Sequence, residues 1–75
     1  MSLDEVAVGG CCKIKSLAAT DKLLQKLLDM GFVTSAVIEV VRVAPLSDPM
    51  ELKIHNYLVS LRRSEAALIE VEPCK

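Results

Sequence analysis

The sequence predicts a β-dominated domain with minor helix, in which about five short strands close into a small barrel around one inserted helix. Three observations carry this. Five short β-branched or alternating runs are set apart by glycine, proline, asparagine and serine. Only one longer stretch, at 20–32, changes to a helical period. The chain has 75 residues, enough for one domain that buries about 60% of the surface its unfolded form exposes, so residues 1–75 are read as a single domain.

The elements follow in chain order. Met1 and Ser2 are given no role. In GGCCKIKSL (9–17) a glycine pair leads into alternation, with Cys12, Ile14 and Ser16 on one strand face and Lys13, Lys15 and Leu17 on the other. In TDKLLQKLLDMGF (20–32) Leu23, Leu24, Leu27, Leu28 and Met30 form one helical stripe, read as core, with Lys22, Gln25, Lys26 and Asp29 opposite. Thr20 or Asp21 is the expected N-cap, and Gly31 stands where a left-handed residue ends a helix. With Met30 as C-cap, Phe32 is placed to pack on Leu27.

AVIEVVRVA (36–44) is the next strand, with Ile38, Val40 and Ala44 on one face and Val37, Glu39, Val41 and Val43 on the other. Both faces are largely apolar, so the strand is either covered twice or leaves a valine surface free for association. MELKIHNYLVSLRR (50–63) reads as a hairpin turning at His55 and Asn56, with Met50, Leu52, Ile54, Tyr57, Val59 and Leu61 inward and His55 a surface histidine. SEAAL (64–68) is a helical turn that Ser64 can cap, and IEVEP (69–73) is a last strand stopped by Pro73.

Composition bounds the function. The chain is 52% hydrophobic with a mean hydropathy of +0.41, rich for so small a domain, which favours exposed apolar surface and a partner. Nine basic and ten acidic residues leave a net charge of −1, so no field draws in nucleic acid, and Phe32 and Tyr57 alone are too few aromatics for stacking platforms. No apolar run nears the roughly 20 residues of a membrane span, and nothing resembles a signal peptide, so the chain reads as cytosolic.

No phosphate-cradling G-x-x-x-x-G-K-[ST] motif occurs, and one histidine leaves little material for acid–base work. An enzyme, a cofactor and a metal site are not expected. Cys11, Cys12 and Cys74 lack the spacing of a disulfide framework or zinc knuckle. They are read as two small apolar strand residues and a reduced tail thiol rather than as ligands joined by His55.

The stretch VAPLSDPM (43–50) cannot be strand interior, because proline lacks the N–H of a ladder and pushes Ala44 and Asp48 out of the helical region. Two prolines reduce the freedom of the loop, so that Leu46 either stands on the surface as a docking point or plugs the barrel mouth. The candidate partner-binding residues are Pro45, Leu46 and Pro49 of this loop with Val41 and Val43 of the preceding strand.

LLDMGF (27–32), VAPLSDPMEL (43–52) and LRRSEAALIEV (61–71), with LDEVAVGGCCKIKSL (3–17), together resemble the ferrous-iron-transport protein A (FeoA) family over nearly the whole chain. The resemblance implies an SH3-like barrel with an inserted helix, in a cytosolic module accessory to the ferrous-iron permease FeoB and its cytoplasmic GTPase domain. That family usually carries glycine at the positions of Ser35, Ser47 and Asn56, and the serine at 47 implies a loop that does not need glycine's special dihedrals. The function expected is a non-catalytic regulatory module of bacterial ferrous iron uptake that docks on the permease. The alternatives are an iron(II)-binding metallochaperone and a self-associating structural domain built on Val37, Val41 and Val43.

Overall fold

The computed structural model describes residues 1–46 and 48–74. A short 3-10 helix over Leu3–Glu5 precedes β1 (Cys11–Leu17), α1 (Asp21–Asp29), β2 (Val37–Val43), β3 (Met50–Ile54), β4 (Tyr57–Leu61), α2 (Arg63–Ala66) and β5 (Ile69–Pro73). The strands form one antiparallel sheet in the order β4-β3-β2-β1-β5, bent around a core that includes Ile14, Leu27, Phe32, Ile38, Leu52 and Val71.

The five strands and single longer helix are as expected, but the ladder does not close. The edges are handled differently instead. Along β5 the N-terminal segment substitutes for a closing strand: the Val71 N–H donates to the Met1 carbonyl at 2.8 Å, and Ser2 bridges to Glu70. No strand covers the outer edge of β4 among the described residues. The 3-10 helix is an addition to the expected elements, with Ser2 and Glu5 at capping-box spacing. The Glu5 carboxylate accepts the Ser2 N–H at 2.9 Å, and Leu3 is fully buried.

Two β-bulges overturn parts of the alternation. In β1 the pairing with β5 shifts between Ile14 and Ser16, so Lys15 is an extra residue, Ser16 turns out to solvent and Leu17 packs on the core. In β2 the pairing with β3 shifts between Val40 and Arg42. Val43 therefore lies opposite the buried Met50 and packs inward, although simple alternation puts it outside with Val41.

Helix α1 ends as its glycine predicts. Met30 is the C-cap, Gly31 has φ +95°, the Phe32 N–H donates to the Leu27 carbonyl at 3.0 Å and the Gly31 N–H to that of Leu28 at 3.0 Å. These are the two bonds of a Schellman ending, with Phe32 and Leu27 both fully buried beneath it. Thr20 is the N-cap, without a side-chain bond. The leucine stripe is core only in part: Leu27 is fully buried, Leu23 and Leu24 are half-buried and Leu28 is 40% exposed. In the hairpin turn His55 and Asn56 both have left-handed φ, at 51° and 69°. Tyr57 lies opposite the buried Ile54 as its inward register requires, yet remains 47% exposed.

Ser64 does not cap α2. The Glu65 carboxylate accepts the Arg62 N–H at 3.1 Å and Asp48 accepts the Arg63 N–H at 3.0 Å, so two acids satisfy the first amides. Lys26 of α1 reaches the same Glu65 at 3.2 Å. Burial pushes the Glu65 carboxyl up, but the Arg62 amide and the Lys26 ammonium outweigh it and hold it below its ordinary value. A depressed folded value gives stability that is present above the unfolded pKa of about 4.3 and is lost as pH falls through the folded one. Glu65→Gln should therefore lower the melting point at neutral pH, by about 1 kcal/mol of stability, and the gap from wild type should close below about pH 4. A gap that persists unchanged in acid means that the carboxylate is not the capping species.

Candidate functional site

The loop between β2 and β3 is held at both ends and left bare at its tip. The Ala44 N–H donates to the Pro49 carbonyl at 3.0 Å, closing the base. The Asp48 carboxylate is bound to the amide that opens α2, so the same residue that precedes Pro49 ties the loop to a neighbouring element. The Asp48–Pro49 peptide is cis. Ser47, and with it the inference that this position avoids glycine's dihedrals, lies outside the described residues. The other two positions do hold left-handed dihedrals without glycine: Ser35 has φ 76° and Asn56 69°.

Leu46 is 91% exposed, the most exposed large apolar side chain among the described residues. It does not plug the barrel. Beside it a groove of about 440 Å³ is lined by Arg42, Val43, Ala44, Pro45, Pro49 and Glu51. Val43, Pro45 and Pro49 thus meet in one groove, while Val41, 38% exposed, is not part of its lining. One wall is polar: the Arg42 guanidinium donates to a single Glu51 oxygen from Nε at 3.0 Å and from a terminal nitrogen at 2.7 Å. Alternation alone does not reveal this wall, because the bulge is what sets Arg42 opposite Glu51.

A second depression, of about 500 Å³, lies where β1, β2 and the hairpin meet and includes Cys11, Glu39, Lys53 and His55 in its lining. His55 is the exposed surface histidine expected, but its ring is not idle. It packs on the end of α1, where its Nε2 bonds the Gly31 carbonyl at 3.2 Å, and the Tyr57 hydroxyl donates to the Met30 carbonyl. The Tyr57 bond thereby satisfies the C-cap carbonyl that the helix leaves open, and the His55 bond adds to a Gly31 carbonyl that already accepts the Val33 N–H. Cys12 is buried, as a small apolar strand residue should be, and its burial pushes the thiol up. Cys11 and Cys74 correct the reading of separate reduced thiols: they are joined as a disulfide, because the β1/β5 register that sets Cys12 opposite Pro73 brings their neighbours together. Among the described residues no three His, Cys, Asp or Glu side chains converge as metal ligands, and no helix is long and apolar enough to cross a membrane.

Residues 1–73 match the FeoA domain family. The chain belongs to the FeoA family. It is 43% identical over 72 residues to an Fe(2+) transport protein A/Fe(2+) transporter FeoB fusion protein of Porphyromonas gingivalis, an alignment that covers 96% of this chain and 8% of that protein. The solution structure of iron(II) transport protein A from Clostridium thermocellum superimposes with a TM-score of 0.94 at 46% identity, covering 97% of this chain and 45% of that one. The FeoA of Stenotrophomonas maltophilia, solved as a complex with zinc and described as a prokaryotic SH3 domain protein, gives a TM-score of 0.84 at 25% identity, covering 96% and 89%. The chain thus spans less than half the length of the first two relatives. An open five-stranded sheet fits the SH3-like description, and in this FeoA domain the β2–β3 loop carries Leu46, more exposed than Leu58 at 63% or Val8 at 59%.

Proposed function

We propose that this FeoA domain is a cytoplasmic, non-catalytic accessory module of ferrous iron uptake, which docks on the cytoplasmic part of a FeoB-type permease through the β2–β3 loop. The observation that carries this reading is the fusion: a relative 43% identical to the chain is continuous with FeoB in one polypeptide, where the linkage keeps the two modules at high effective concentration. The exposed Leu46 beside an apolar groove supplies a contact of the kind such docking needs, an anchor whose burial excludes water.

The test has a binding arm and a cellular arm. The purified domain should associate saturably with the cytoplasmic region of the permease, and cells without the domain should lose iron(II) uptake and recover it when the domain is supplied. Normal uptake in its absence, together with no association, overturns the proposal. Stoichiometric, micromolar iron(II) binding in anaerobic equilibrium dialysis is the contrary result that favours the metallochaperone reading.

A regulator of this kind has no nucleotide chemistry of its own. The isolated domain should neither bind nor hydrolyse GTP, since its sequence has no Gly-rich phosphate loop ahead of a helix. Calorimetry with GTP should give heats of dilution only, and a saturable isotherm would reassign the module to the GTPase machinery itself.

A further inference from the structure

Cys11 opens β1 and Cys74 follows directly on β5, in a register where Cys12 faces Pro73. Their Cα atoms are 5.5 Å apart, within the range that a disulfide spans, and the Cys74 N–H donates to the Cys11 carbonyl at 3.2 Å. Cys11 is exposed and Cys74 half-buried, so a small reagent reaches the pair from solvent. Cys12, one residue away, is 1% exposed and closed to such chemistry.

We propose that Cys11 and Cys74 are a reversible dithiol–disulfide pair, modified by low-molecular-weight disulfides of the glutathione class, that clasps the end of β5 onto β1. The Cys11 thiolate attacks glutathione disulfide, forms a protein–glutathione mixed disulfide and releases one glutathione thiolate. The Cys74 thiolate then attacks the Cys11 sulfur, forms the internal disulfide and releases the second. Two protein thiols lose two protons and two electrons, and one glutathione disulfide becomes two glutathiones. The reaction should leave the fold in place, because the pairing of β1 with β5, from Cys12 opposite Pro73 to Leu17 opposite Ile69, lies inside the cross-link and does not depend on it. Its effect is on stability and on the rim of the depression that Cys11 lines: the cross-link ties residues 63 positions apart and restricts the unfolded chain.

The experiment equilibrates the purified protein in anaerobic glutathione buffers, quenches with an alkylating agent and reads the masses. An internal disulfide scales with oxidised glutathione over the square of reduced glutathione. Diluting total glutathione tenfold at a constant ratio of the two should therefore raise the disulfide-to-dithiol ratio about tenfold, whereas a simple mixed disulfide would not change. The oxidised form should melt higher than the reduced one, and Cys11→Ser and Cys74→Ser should each abolish the difference while Cys12→Ser retains it. A product that is only the mixed disulfide, only an intermolecular dimer, or absent at every ratio overturns the proposal.

Discussion

Gly31→Val should destabilise the domain by about 2–4 kcal/mol and lower its melting temperature by roughly 10–25 °C, through two separable costs. The first is backbone. Gly31 has φ +95°, a conformation in which a β-branched residue loses about 1–2 kcal/mol, and it cannot relax without giving up the Phe32 and Leu28 bonds that end α1. The second is space. A Cβ at this position meets His55 Cδ2 at 2.6 Å and Nε2 at 2.9 Å, so the imidazole must swing away from the Gly31 carbonyl it bonds. Because His55 is an exposed side chain it can move, and the clash costs less than one against backbone would.

A thermal melt of Gly31→Val checks the total, and Gly31→Ala in a His55→Ala background separates the parts. With the imidazole gone, the alanine should cost only the backbone share, and the two changes should be less damaging together than their sum. A melting temperature unchanged in Gly31→Val would mean that α1 does not depend on this ending. Since a domain of this size has a thin margin of stability, the full effect is enough to reduce soluble yield.

The same region shows what was legible in the sequence and what was not. Gly31 with Phe32 one residue on, behind an amphipathic run, is a local signal: the bonds it implies lie within six residues, and helix end and hydrophobic contact both appear as read. The hairpin is equally local, and Asn56 accepts its left-handed φ. The bulges are not local. Lys15 and Val41 look like ordinary members of alternating runs, and only the partner strands show that each is an extra residue. One bulge moved Val43 from the outer face into the groove beside Pro45 and Pro49, and set Arg42 against Glu51. The cap of α2 is not the local Ser64 for a related reason: its donor groups are met partly by Asp48, distant in sequence. The cysteine pair joins the first and last strands, 63 residues apart, and spacing within a sequence carries no trace of such an encounter.

The largest functional effect is expected at Leu46. Leu46→Asp should leave the melting temperature within a few degrees of wild type, because the side chain is 91% exposed and surface substitutions usually change stability by about ±0.5 kcal/mol. It should nevertheless abolish permease-dependent iron(II) uptake. If Leu46 is the apolar anchor of the docking surface, replacing it by a charge that must be desolvated costs upwards of 2 kcal/mol, a loss of about 30-fold or more in affinity. Leu46→Met keeps the apolar contact and should retain uptake, which separates anchoring from any effect of altering the loop. Pro45→Ala should fall between them, since it keeps the anchor and restores only the freedom that the proline removes before binding. Melt and uptake must be read on the same variants. A folded Leu46→Asp protein with normal uptake excludes this loop from the contact. A variant that unfolds would return Leu46 to the core, against its exposure. Only normal melting with lost uptake, rescued by methionine, places the partner on the proline-framed loop.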